Sequence, residues 1–262
     1  MQLLDPATLL TVLLVFVRVG GVLVAAPFFR QPFLPAPVKV FVAVLLAFSL
    51  AGFVGGAPGG GGLPPGVTEP LGLALALGVE ALTGLLLGFA AQFPFFAVGF
   101  AGDVMGFQMS LSLAQVYNPI EGESANPLGR MLSLAFLLLF LFLDGPHHLV
   151  RALALSFEVV PLAGADLAAG GPLLLEWMGA FFATALRLAA PFMVTLLLID
   201  VALGVFARLV PQADLFSLGF PIKLLVGLAL FALFVEAFGP VAVDLVGRSL
   251  DDLVRMVEAI AP

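Results

Sequence analysis

The sequence contains no cysteine, which removes disulfide frameworks, thiol nucleophiles and thiolate metal sites and leaves the redox compartment unreadable. It is almost as poor in tryptophan and tyrosine, with one of each beside 26 phenylalanines. Ordinary spanning helices place Trp and Tyr at both headgroup levels, so those belts are nearly missing here. Two readings of the Phe excess stand side by side: drift of composition, or rings that fill contacts between protein surfaces. Charge is scarce too. Ten Lys+Arg and 17 Asp+Glu give a formal net charge of -7, and the cations are spread singly. No basic stripe is available for phosphates, so nucleic acid is not an expected partner.

What is abundant is apolar surface. Of 262 residues 62% are hydrophobic and 10% charged, with a mean hydropathy of +1.20. A soluble domain of this length cannot hide that much, so the chain reads as an integral membrane protein. The first residues, MQLLDPATLLTVLLVFVRVGG, lack a basic start and a small-residue cleavage site, and they read as a retained helix.

Apolar runs at Leu9–Pro27 and Val38–Val54 predict two helices joined by a proline-rich connection. Arg30 and Lys39 place that connection on the cytoplasmic side by the positive-inside rule. The glycine-rich stretch 55–70 is a loop. The run Leu71–Gly102 exceeds one minimal span of about 20 residues, and Pro94 is expected to kink or divide it. A semi-polar stretch, 103–127, precedes a helix over Leu128–Leu143 and a turn at Asp144-Gly145-Pro146. The segment His147–Pro161 is too short to span comfortably. After a loop at 164–172, long helices are expected over Leu173–Leu209 and Pro221–Val246. Pro211 ends the first of these near Arg208. Leu250, Leu253, Val254 and Val257 recur at spacing three and four, the mark of an amphipathic tail helix.

Arg18, Glu80, Asp103, Arg187, Asp200, Arg208 and Glu236 sit in or beside these apolar runs. Each must face protein or water and find a partner. Salt bridging between helices is the favoured reading, with Asp200 and Arg208 as one structural pair; a coupling path through Glu80, Asp200 and Glu236 is the alternative. His147-His148 lacks a carboxylate at helical spacing and makes a poor metal site. Neither a catalytic grouping nor a phosphate loop is recognisable, so no enzyme activity and no cofactor are expected. Two GxxxG patterns, Gly84 to Gly88 and Gly102 to Gly106, carry little weight in a chain with 29 glycines.

The stretch Gly106–Pro119, GFQMSLSLAQVYNP, alternates apolar and polar residues, with Phe107, Met109, Leu111 and Leu113 at period two. An extended or loosely helical backbone at membrane depth survives only when buried in protein or lining an aqueous cavity. Phe and flexible Met suit reversible closure of a pore; a surface loop between spans is the other reading of the same pattern.

Four stretches together resemble one family: FVRVGGVLVAAPFF at Phe16–Phe29, GFQMSLSLAQVYNP, LFLDGPHHLVRALALSFEVVPLAG at Leu141–Gly164, and ARLVPQADLFSLGFPIKLLVGL at Ala207–Leu228. The last is the most specific. The chain resembles the FliR/SctT subunits of type III protein export gates, and Gly219-Phe220-Pro221 looks like the flagellar branch. It departs from the family pattern at DGPHHL, where one Gly-His step is common, and at PQADLF, where Asn is usual.

The resemblance implies an all-α membrane protein of kinked helical hairpins, with a FliP-like part over 1–165 and a FliQ-like hairpin over 166–262. It implies FliP-like and FliQ-like partner subunits, with FlhB-like and FlhA-like export components beside them, unfolded flagellar proteins in transit, and a place in the bacterial inner membrane at the flagellar basal body. It maps a pore plug onto about 104–120, with Phe107, Met109, Leu111, Leu113 and Tyr117 as sealing residues. It assigns subunit packing to Arg208, Pro211, Gln212, Asp214, Gly219, Pro221 and Lys223.

Overall fold

The structure, a computed structural model, describes residues 6–29, 34–54, 63, 66–111, 126–210 and 215–262. Seven helices occur among them: α1 (Pro6–Ala25), α2 (Ala36–Val54), α3 (Pro70–Gln108), α4 (Pro127–Phe142), α5 (Gly145–Val159), α6 (Gly171–Leu209) and α7 (Leu215–Ala259). Helices α1, α3, α6 and α7 are long and apolar enough to cross a membrane, while α4 and α5 form a pair bent by 68° at their short break.

Of the two effects expected at Pro94, division is not found, and the expected helix start at Pro221 is corrected. Helix α3 runs 39 residues through Pro94 without dividing, and α6 runs 39 residues through Pro191. Helix α7 is a single element of 45 residues that contains both Pro221 and Pro240. It begins six residues before the expected start at Pro221, and the amphipathic tail is its last part instead of a separate helix. A proline inside a helix removes one bond to the carbonyl four residues back. In apolar surroundings the other backbone groups have no water to turn to, so continuing the helix is better than fraying it.

The α4–α5 break follows from local chemistry. Asp144 adopts the left-handed conformation (φ 54°), and Pro146 occupies the first turn of α5, where a missing N–H costs nothing. Gly145 lies against the Phe140 ring, with no room for a Cβ.

Packing divides the chain into two compact units. One comprises Met1–Phe93, Phe140–Met178 and Val246–Pro262, the other Pro94–Leu139 and Gly179–Leu245. The first unit buries Leu14, Val15 and Val19 of α1 with Leu87 and Ala91 of α3, Leu153 and Phe157 of α5, Leu253, Met256 and Val257 of α7, and Ile260 just after it. Of the expected tail face, Leu253 and Val257 are buried, whereas Val254 is exposed. In the second unit phenylalanines meet edge-on, Phe95 with Phe136 at 4.7 Å and Phe192 with Phe234 at 5.8 Å between ring centres. This favours ring packing as one use of the Phe excess.

The GxxxG patterns matter more than the sequence suggested. Gly84 and Gly88 lie against the α1 backbone at Arg18, Gly21 and Val22, and Gly102 lies against Gly129 of α4. These are contacts that small residues permit and any side chain would block.

Candidate functional site

In the first unit the charges Arg18 and Glu80 meet. Arg18 has no exposed surface, nor does Glu80. Arg18 Nε donates to Glu80 Oε2 at 2.5 Å and Nη2 to Oε1 at 2.9 Å. Nη1 donates to the carbonyls of Ser156 (2.9 Å) and Val160 (3.2 Å), and Nη2 also reaches the Pro161 carbonyl at 3.3 Å. A guanidinium has five N–H donors, and each has an acceptor here. Its Cζ lies 4.4 Å from the Phe157 ring centre, adding a cation–π contact. Glu80 Oε1 accepts a further bond from the Ala163 N–H at 2.6 Å.

Arg18 thus caps the C-terminal carbonyls of α5, where a cation also complements the helix dipole. This cluster joins α1, α3, α5 and the turn after α5. It acts as a structural clamp, in which both Glu80 oxygens accept hydrogen bonds.

The second unit holds all the expected site residues that are among those described. Phe107, in the last turn of α3, is 69% exposed, while Met109 is completely buried. The expected period-two backbone is not found at this end: helix α3 continues to Gln108, and successive helical residues point 100° apart. Phe107 and Met109 therefore face different surroundings.

The helix then closes tightly. Ser110 donates to the Phe107 carbonyl, Leu111 donates to that of Gly106, and Ser110 has φ 64°. That is a Schellman motif with serine in the place glycine usually takes. Asn126 anchors the start of α4: its Oδ1 accepts from the Leu128 N–H at 3.2 Å, and its Nδ2 donates to the carbonyls of Gly102 (3.1 Å) and Asp103 (2.9 Å) of α3. The sequence reading missed Asn126, although Asn followed by Pro is a recognisable helix start. Leu113 and Tyr117 lie outside the described residues.

Helices α6 and α7 form the hairpin. Lys223 Nζ lies 2.5 Å from Asp200 Oδ1, and Gly219 is buried, with Leu203 beside it. One turn back along α6 corresponds to one turn forward along α7, the register of an antiparallel pair. Asp200 therefore pairs across the hairpin with Lys223, and the expected Asp200–Arg208 pair is corrected. Arg208 is exposed in the last turn of α6, where its charge suits the helix dipole. Pro221 is exposed within α7; Pro211, Gln212 and Asp214 lie outside the described residues.

The Asp200–Lys223 bridge is partly open, with side chains 40% and 18% exposed, so breaking it by neutralisation costs about 1 kcal/mol or less. Reversal is harsher. Lys223→Glu sets two carboxylates against each other and is expected to lower the thermal midpoint of the purified protein, while the exchanged pair Asp200→Lys/Lys223→Asp recovers most of the loss. No recovery in the exchanged pair would place the principal contact of Lys223 elsewhere.

His148 lines a groove of about 740 Å³ with Arg151, Glu158 and Asp251. Among the described residues no group of three His, Cys, Asp or Glu side chains could hold a metal ion.

These features define an all-helical integral membrane protein whose buried charges serve packing. Its sequence matches the family described as bacterial export proteins, family 1, over residues 9–249, and the chain belongs to that family, whose FliR/SctT members act in type III protein export. It is 32% identical over 227 residues to the flagellar biosynthetic protein FliR of Escherichia coli (strain K12), covering 85% of this chain and 83% of that one. Identity to the FliR of Pectobacterium carotovorum subsp. carotovorum is 31% over 239 residues, 90% and 88% of the two chains. The surface presentation of antigens protein SpaR of Shigella sonnei is 30% identical over 156 residues, 60% of each. The chain is accordingly a membrane-embedded component of flagellar/type III protein export.

Proposed function

We propose that this chain is the subunit of a flagellar export gate that assembles with FliP-like and FliQ-like membrane proteins into a gated pore for unfolded flagellar proteins. Residues 1–165 form its FliP-like part and 166–262 its FliQ-like hairpin. The gate lies in the bacterial inner membrane at the basal body, with FlhB-like and FlhA-like components nearby. The chain performs no chemistry of its own. The segment at about 104–120 plugs the closed pore, with Phe107, Leu111, Leu113 and Tyr117 toward the passage.

The observation that carries this reading is similarity to FliR over most of the chain, combined with a hairpin that leaves its surface free. Only 17% of the most apolar window of α6 and 11% of that of α7 is buried within the chain. A helix pair so little covered by its own chain is suited to packing against other subunits.

A stand-alone transporter working through Glu80, Asp200 and Glu236 is disfavoured, because Glu80 is buried and bonded to Arg18, while Asp200 is paired with Lys223. Native mass spectrometry of the detergent-extracted complex tests the proposal. Co-elution with FliP-like and FliQ-like chains in one assembly is the expected result; a monomer or a homo-oligomer that moves ions by itself would reject it.

A further inference from the structure

Met109 was expected to help seal the pore, yet it is completely buried within the second unit. It occupies a notch in α7 that exists because residue 227 is glycine: a Cβ on Gly227 would lie 2.7 Å from Met109 Cε and 2.8 Å from Sδ, and against Cγ as well. The contact is knob into hole, with an unbranched thioether shaped to the cavity.

The surrounding bonds fix the same point of the chain from other sides. The Schellman closure sets the direction of Ser110 and Leu111. Asn126 holds the Gly102 and Asp103 carbonyls one to two turns earlier, and its side chain lies directly over Gly106, again with no space for a Cβ. Phe107 points away from this anchorage and is exposed.

We propose that Met109 and Gly227 form a fixed joint tying the C-terminal end of α3 to hairpin helix α7, so that Met109 is a positioning residue and not part of the seal. The proposal rests on the plug reading above and deepens it. The segment after Leu111 starts from a point set by the hairpin, and a displaced α7 would displace that point with it.

The absence of cysteine allows a direct test. Met109→Cys with Gly227→Cys introduces a single pair, at positions where a Cβ added to Gly227 meets the Met109 side chain beginning at its Cγ, within reach of disulfide geometry with Cβ atoms about 3.5–4.5 Å apart. In membranes carrying the full export complex, oxidation is expected to link the pair, read by mass spectrometry of the joined peptides. A joint that stays closed during export contributes no coupling between states, so secretion of flagellar substrates remains within about twofold of the reduced form. Failure to link in the assembled complex, or a loss of tenfold or more that reductant reverses, would overturn the proposal.

A second pair guards against misfolding. Gly227→Leu fills the notch and is expected to reduce assembled complex and secretion about tenfold, and adding Met109→Ala restores them to within about threefold. Without that rescue the two residues are not one joint. Complexes carrying Met109→Ala alone that do assemble remain ion-tight, since a leak would return Met109 to the seal. The plug reading itself is judged separately: Phe107→Ala/Leu111→Ala complexes are expected to leak, and if they do not, that reading fails while linkage and rescue still decide the joint.

Discussion

Replacing Arg18 by leucine is expected to destabilise the folded protein by about 3–5 kcal/mol, because it strands a carboxylate in a fully buried site. Glu80 has no exposed surface. After the substitution it keeps only the Ala163 N–H among the bonds described here. The loss extends further, since the carbonyls of Ser156, Val160 and Pro161 lose the donor that caps α5. Thermal unfolding of the detergent-extracted protein, followed by loss of helical circular dichroism, measures the effect. The double substitution Arg18→Leu/Glu80→Leu removes both charges and should be less destabilised than the single, as neutral replacement of a buried pair often is. If the single variant unfolds at the wild-type temperature, the cluster is not a clamp.

The second large effect lies on the same helix pair. Gly84→Val puts a branched side chain where the Arg18 carbonyl of α1 already lies, with the Gly21 Cα only 3.1 Å from the added Cβ. Gly21 faces Gly84 in return, its own added Cβ falling 2.8 Å from the Ala81 carbonyl. Overpacking of a tight core costs about 1–3 kcal/mol and sometimes more. Here the displaced atom belongs to the backbone of Arg18, so relief of the clash pulls the guanidinium away from Glu80. The two effects share a residue and are therefore not additive.

Gly78 provides the control, on the same helix with open space around its Cβ position. Gly78→Ala is expected to be neutral or stabilising by about 0.5–1 kcal/mol, the usual helix preference for alanine. A Gly84→Val protein as well expressed and as heat-resistant as Gly78→Ala would refute the close approach of α1 and α3.

Helix existence was legible in the sequence where long apolar runs meet glycine-rich or polar breaks, as at 55–70 and Asp144–Pro146. Proline misled at Pro221 because its local cost was weighed without the surroundings: in a membrane protein a break exposes more unsatisfied backbone than it relieves. The charges were legible as residues that need partners, but not as pairs. Arg18 and Glu80 are 62 positions apart, and nothing periodic connects them. Asp200 and Lys223 depend on hairpin register, which a helical turn count along α6 alone cannot supply. Gly84 and Gly227 were hidden for another reason. A glycine that accommodates a neighbour looks the same in sequence as a glycine that accommodates nothing, and Gly78 is the example.

Helix α7 carries exposed apolar residues from Leu218 through Phe220, Leu225, Leu233 and Val235 to Val243, whereas the exposed positions that follow include Asp244, Arg248 and Asp251. From Leu218 to Val243 the apolar run covers about 38 Å at 1.5 Å per residue. Hydrocarbon is about 30 Å thick, and a tilt of about 35–40° fits the run to it. The hydrophobic thickness that this helix asks of its surroundings therefore ends near Val243, and the remaining turns, with their carboxylates, are matched to headgroups, water or protein instead of acyl chains.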